Sequence, residues 1–252
     1  MQVVLVDVET GPLEKTAGAL ANVGAEVLAV PTDVTDADAV EALAATTRAH
    51  FGADHVVCNN AGVIGHFGRT WQTPLADWRW VIGVNVFGVI HGIRTFVPGM
   101  VAQGEGHVVN TSSAAGWRAP PAMGPYAASK HAVLAISEAL RAELAASGAQ
   151  VGVTAVCPGM VKSQIMFSDR NWPGGLGSEP PLPRDPLSLG VRQVLTMGTT
   201  EGDVEPGAVA EAVVQAILAN RFVVTTHLDQ LVGMASDRLV LAEGAGIEAT
   251  GG

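Results

Sequence analysis

The run His107-Val108-Val109-Asn110-Thr111-Ser112-Ser113 is apolar and β-branched at its centre and ends in hydroxyls. A helical pattern follows from Tyr126 to Ala146, and the chain then returns to an apolar strand over Val151 to Val156, closed by Pro158-Gly159. Strands this apolar are covered on both faces, so the strand-helix-strand unit implies a mostly parallel sheet sandwiched by helices.

The same alternation extends outward. Upstream, Val3 to Val6 is a continuous apolar strand, Pro12 begins a short helix ending near Gly24, and Ala25 to Val30 is the next strand. Thr35 with Asp38 three residues on predicts a cap for a helix in which Val40, Leu43, Ala44, Thr47 and Phe51 keep helical spacing. His55 to Cys58 is again strand. Thr73 before Pro74 predicts a cap and a first-turn proline opening one long helix, on which Trp78, Val81, Ile82, Asn85, Val89 and Ile93 share a face and only Asn85 is polar. Downstream, the Pro- and Gly-rich stretch 163–206 is too long for an ordinary connection and reads as a functional flap with short helical pieces. Pro206 starts another helix, Phe222 to Thr226 is a last strand, and 244–252 reads as a frayed tail. Residues 1–252 thus read as one α/β domain.

Composition narrows the function. The 252 residues are 48% hydrophobic and 15% charged, with a formal net charge of -10 and a mean hydropathy of +0.31. This argues against disorder, and the acidic balance argues against sequence-independent binding to nucleic-acid backbones or anionic membranes. Small molecules or other proteins are the expected partners. Cys58 and Cys157 lie far apart in apolar runs, so they read as buried structural thiols in a reducing compartment, without a disulfide framework or a zinc site. No apolar stretch reads as a membrane span and the start lacks the features of a signal peptide, so a cytoplasmic protein is expected.

Tyrosine occurs once, at Tyr126, and lysine three times; one of these, Lys130, stands four residues after Tyr126. Chance would put a lysine at that offset roughly 1 time in 80. On a helix the two side chains share a face, and an ammonium there is expected to lower the phenol pKa toward working pH, as a general acid/base requires. Alone the pair reads equally well as surface neighbours. It is accompanied, however, by Asn59-Asn60-Ala61-Gly62 after a strand, by Asn85, by Ser112-Ser113 at a strand end and by Pro158-Gly159. In order and spacing these resemble the single-domain branch of the short-chain dehydrogenase/reductase family over nearly the full chain.

The resemblance implies a doubly wound, three-layer Rossmann-like fold and an oxidoreductase that moves hydride between a nicotinamide cofactor and an alcohol or ketone. It makes Tyr126 the acid/base, gives Lys130 the tasks of tuning it and holding the nicotinamide ribose, and has Ser113 rather than Ser112 position the substrate oxygen. Asn85 would support a water relay, with a buried amide satisfying backbone as its ordinary alternative. Asp7, at a strand end and followed by Val8 rather than a basic residue, favours NAD over NADP. Asp33-Val34 resembles the adenine-contact pair, Asn60 and Gly62 would line the cofactor, and Val161 would offer its backbone to the carboxamide. Ser163 stands where the family usually has threonine. No metal is implied, and self-association through the helices at Asn85 and Tyr126 is expected from the resemblance. Trp117, Met123, Ile165, Met166, Phe167 and Trp172 are the candidate apolar pocket wall, suggesting a hydrophobic substrate.

One departure stands out. The family's TGxxxGxG turn, which cradles pyrophosphate on backbone N–H groups, has no counterpart, and the chain opens at what should be the second strand. The expectation is that about 30 residues, one strand and helix, are missing in front, and that the absent strand belongs mid-sheet between the strands at Val3 and His55. The alternative is a cofactor-free relative acting as a binding or assembly partner. An epimerase of the extended branch is disfavoured by the short chain after Phe222.

Overall fold

The structure, a computed structural model, describes residues 2–178, 183 and 185–242. Strands and helices alternate as β1 (Gln2–Asp7), α1 (Thr10–Asn22), β2 (Glu26–Pro31), α2 (Ala37–Phe51), β3 (Val56–Asn59), α3 (Leu75–Ile82), α4 (Gly88–Gln103), β4 (Gly106–Thr111), α5 (Gly124–Ser147), β5 (Val151–Val156), α6 (Pro186–Thr200), α7 (Pro206–Leu218), β6 (Val223–Val224) and α8 (Leu228–Ala242). Every ladder is parallel. β4 and β5 are paired along their length, Gly106 against Val151 through Thr111 against Val156. Successive residues point to opposite faces: Val108 and Val153 enter one core with Val40, Leu43, Phe96, Met100, Leu140 and Leu144 of α2, α4 and α5. Val109 and Val156 enter another with Ala216 of α7. The result is the three-layer Rossmann-like arrangement that the alternation implies.

The sheet is broken in one place. The strands run β1-β2 in one sheet and β3-β4-β5-β6 in another, and no ladder joins β1 to β3 among the described residues. The break falls at the position where the sequence reading puts an absent strand. The two sheets still share an apolar layer, since Val4 of β1, Val30 of β2 and Val57 of β3 all pack against the α2-α4-α5 core.

Several local expectations are corrected. α2 is capped by Asp36, whose carboxylate accepts from the amides of Asp38 at 3.0 Å and Ala39 at 3.2 Å; Thr35 is instead held by Asp33. α1 starts at Thr10, ahead of Pro12. Pro74 has extended backbone and precedes α3 rather than opening it, and the Thr73 hydroxyl bonds back to the Arg69 carbonyl at 3.2 Å. The long apolar helix is interrupted by a π-helical turn at Gly83–Phe87. Counted through that turn, Leu75–Gln103 runs 29 residues and contains an 18-residue window of mean hydropathy 1.5 that passes by length and composition as a membrane span, contrary to the sequence reading; half of that window is buried inside the fold. Cys157 is buried but Cys58, on β3 beside the break, is exposed. The final strand shrinks to Val223–Val224. The flap holds 3-10 turns at Ile165–Asn171 and Gly174–Leu176 followed by the longer helix α6, and the tail 244–252 lies outside the described residues.

Candidate active site

The strand ends of β3, β4 and β5 meet the start of α5. β4 stops at Thr111, and Ser112 and Ser113 then diverge. The Ser112 hydroxyl donates to the Lys130 carbonyl at 2.7 Å and is buried. Ser113, half-buried, caps a short 3-10 turn, Ala114–Gly116, by accepting from the Ala115 amide at 3.1 Å, and its side chain lies near enough to Tyr126 to favour the phenolate. The two serines thus diverge: Ser112 secures α5 and Ser113 lies beside the phenol. Gly116 has to be glycine, because a Cβ would come within 2.8 Å of the Lys130 carbonyl oxygen.

α5 opens Gly124-Pro125-Tyr126, with proline in the first turn where no intrahelical donor is lost. Tyr126 and Lys130 lie one turn apart and are both buried. The Lys130 ammonium donates to the Thr111 carbonyl at 2.9 Å and lies 5.6 Å from the Tyr126 ring centroid. Burial pulls Lys130 down to about 8. Burial also pushes the Tyr126 phenol above its ordinary value, with the Ser113 hydrogen bond opposing it. This corrects the expectation of a phenol lowered by Lys130: the lysine is spent on Thr111, and removing phenolate from water is the larger effect.

Asn85 sits in the π-helical turn, a feature often found at functional sites. Its Oδ1 accepts from the Val63 amide at 2.8 Å, and its Nδ2 donates to the Val63 carbonyl and the Ser129 hydroxyl, each at 2.9 Å. Asn85 thus clamps the loop after β3 to α5. A Cβ on Gly62 would lie 3.4 Å from Asn85 Oδ1 and 3.5 Å from Lys130 Nζ, so the bare backbone of Gly62 faces both groups. Asn60 is exposed, with Oδ1 accepting from the Thr111 hydroxyl at 2.9 Å.

The other candidates spread along the same edge. Asp7 is exposed at the end of β1 and accepts from the Glu9 amide at 2.8 Å. Asp33 is exposed and holds Thr35, while the Val34 carbonyl meets the His91 ring at 2.9 Å. Val161 is half-buried, and Ser163 is exposed with its amide on the Thr199 carbonyl at 3.1 Å. Asp7 and Asp33 are not in contact with the Tyr126 group; they flank it across the break in the sheet.

Of the predicted pocket wall, Met123 and Met166 are buried with Tyr126, Ile64, Phe67 and Ala115, and Ile165 packs against them. Trp117 departs, packing near Leu134 and Cys157. Phe167 is exposed, and Trp172 stacks edge-on to Trp80 at 5.1 Å and to His66 at 5.4 Å. Sequence reading missed Ile64, Phe67 and a clasp in which Glu9, after β1, pairs with Arg170 at 2.6 Å and accepts from Asn171 at 2.8 Å. Nothing local signals a pair 161 residues apart.

The chain is similar to a 1-deoxy-11-beta-hydroxypentalenate dehydrogenase of Streptomyces arenae, 40% identical over 181 residues, covering 70% of this chain and 64% of that protein. It is 40% identical to the oxidoreductase SadH of Mycobacterium tuberculosis over 161 residues, 64% of this chain and 58% of that one. The chain therefore spans somewhat under two thirds of these relatives. Its fold superposes with TM-score 0.91 and 37% identity on a short chain dehydrogenase/reductase from Burkholderia phymatum in complex with NAD, covering 100% of this chain and 89% of that one. The family model for short chain dehydrogenases matches residues 1–174, and the chain belongs to that family.

Proposed function

We propose that this chain is an NAD-dependent oxidoreductase interconverting an apolar secondary alcohol and its ketone. The observation that carries the reading is the buried Tyr126 with the half-buried Ser113 side chain beside it and Lys130 one turn on, at the carboxyl edge of a parallel sheet. Ser113 is placed to donate to the substrate oxygen, and the Tyr126 hydroxyl to give or take its proton. A phenol pushed up by burial is protonated at neutral pH, which suits it to act as the acid in ketone reduction. For alcohol oxidation the phenolate is required, and its fraction rises about tenfold per pH unit below the phenol pKa, so oxidation should accelerate with alkalinity.

The residues present fit a nicotinamide in part. The open backbone at Gly62 leaves room beside Lys130 and Asn85, and Asp7 presents an exposed carboxylate to a ribose. Lys130, Asn60, Gly62, Val161 and Ser163 would hold the cofactor near the site, and Asp33 with Val34 its adenine. When bound, the cofactor supplies the hydride acceptor or donor. The relative's name, a hydroxypentalenate dehydrogenase, and the apolar group around Tyr126 together favour a hydrophobic ring alcohol.

Tyr126→Phe tests the assignment. It keeps the ring packing and should lower turnover by about 10³-fold with little change in thermal stability; retained turnover overturns the assignment. The break between β1 and β3 favours a second reading, a cofactor-free binding partner. Titration of the protein with NADH discriminates the two: micromolar affinity supports the oxidoreductase, and no binding supports the partner.

A further inference from the structure

A narrow pocket adjoins the Tyr126 cluster. Three of its walls, Ile64, Phe67 and Met166, belong to the apolar group that buries Tyr126. Its remaining lining is Gly65, His66, Ser168, Asp169, Pro183 and Arg192. The pocket lining is therefore part apolar, shared with the group around Tyr126, and part polar.

Arg192 projects from α6, whose neighbouring residues Val191 and Leu195 pack against the Tyr126 cluster. Its side chain is half-buried. Arg48, Arg69 and Arg170 each meet a carboxylate, whereas Arg192 has no ion pair among the described residues. Asp77, the acid nearest to the pocket's histidine, is engaged: it is fully buried and accepts from the amide of His66 at 3.1 Å and contacts its ring at 3.0 Å. The Ser168 hydroxyl is engaged too, accepting from the Ile64 amide at 3.1 Å. Asp169 shares the lining with Arg192, yet the two do not pair within 4.0 Å. A half-buried guanidinium that no carboxylate pairs is suited to bind one, because its fork of donors matches that group in two hydrogen bonds.

We propose that Arg192 determines substrate specificity by binding a carboxylate carried by the substrate, apart from the reacting alcohol. This rests on the oxidoreductase reading for the alcohol end, but the carboxylate preference stands on the pocket alone. The chain's net charge of -10 repels anions at long range, so a preference for an acid over its neutral analogue reports the local site.

The test compares binding of cyclohexanecarboxylate and cyclohexanecarboxamide to the intact protein, by calorimetry or by the fluorescence of Trp80 and Trp172, which ring His66. The acid should bind about tenfold more tightly than the amide. Arg192→Met should erase the difference and Arg192→Lys should keep part of it, since a point charge replaces the fork. Asp169→Asn should preserve or increase the preference. Equal binding of acid and amide to the unaltered protein overturns the proposal, and that comparison does not depend on any variant folding. Tighter binding of cyclohexylamine than of the acid also overturns it, by making Asp169 the determinant. Turnover of 3-hydroxycyclohexanecarboxylate and its methyl ester separates the two readings. If neither is oxidised while the acid still binds preferentially, the oxidoreductase reading falls and Arg192 stands. If the ester is oxidised as efficiently as the acid, Arg192 falls and the oxidoreductase reading stands.

Discussion

The two sheets are built from the same strand-helix alternation but differ in burial. In β4 and β5 nine of the twelve residues are buried, and Val108 and Val153 are within 1% of complete burial. In β1 and β2 none is. Val6 of β1 stays 37% exposed and Val56 of β3, on the other side of the break, 49% exposed. A strand's interior is made by neighbours on both edges as well as by helices on both faces, and the break removes an edge from β1 and from β3. Tyr126, Lys130 and Asn85, all buried, and the half-buried Ser113 lie with the four-stranded part. Asp7 and Asp33, both exposed, come from the two-stranded part.

If this contrast is energetic and not only geometric, the same substitution should have different consequences in the two sheets. Val153→Ala in β5 should destabilise by about 2–3 kcal/mol, the lost methyl burial plus the cavity left behind. Val4→Ala in β1 should destabilise by about 1 kcal/mol or less, because the valine is only half-buried and the space opens to water. Thermal unfolding measures both, and amide hydrogen exchange should show β4 protected far longer than β1. Equal losses would mean that β1-β2 is as integral to the fold as the larger sheet.

A smaller effect is expected at the cofactor edge. Asp7→Asn retains the oxygen that accepts from the Glu9 amide, so the turn should survive. On the proposed reading, what is lost is the negative charge that would favour a free ribose hydroxyl over a phosphate. The KM for NAD should rise about tenfold, with kcat little changed, and discrimination against NADP should shrink. An unchanged ratio of kcat/KM values for the two cofactors would remove Asp7 from the assignment.

Legibility in the sequence follows the range over which each feature is determined. The strands β3, β4 and β5, the helices α2 and α5 and the Tyr126-Lys130 pair follow from periods of two and 3.6 residues and stand close to where the pattern puts them, whereas the long helix after Thr73 is broken at Gly83–Phe87 and the last strand shortens to Val223–Val224. Ser113 needed the motif resemblance, because Ser112 and Ser113 are chemically alike and only the turn at Ala114–Gly116 distinguishes their directions. Asn85 was legible as a polar residue on an apolar helix face, but the π-helical turn that seats it has no periodic signal. The raised phenol was not legible, since it comes from burial assembled by Ile64, Phe67, Met123 and Met166 across the chain. Trp117 was misplaced for the complementary reason: an aromatic beside a motif can pack to either side of the strand, and here the space beside Leu134 and Cys157 takes it.

The smallest effect concerns the clasp that ties the two-stranded part to the flap. Glu9 follows β1, and Arg170 and Asn171 hold its carboxylate below its usual range, their hydrogen bonds being the main cause. A group whose pKa is depressed on folding contributes its stabilisation above the unfolded value of 4.5, and loses it as pH falls through the folded value. The clasp should therefore be closed at neutral pH and open progressively below about pH 4.5. Trp172, next in the chain after Asn171 and bonded to the Gly177 carbonyl at 2.9 Å, is a natural reporter. Its fluorescence should change in that acidic range in the unaltered protein and lose the transition in Glu9→Gln, which keeps an acceptor for Asn171 but not the charge for Arg170. Salt should weaken the effect, since the pair is partly exposed. A transition centred above pH 5.5 that persists in Glu9→Gln would instead place the sensor elsewhere, and the flap would then be held to the larger sheet without help from the smaller one.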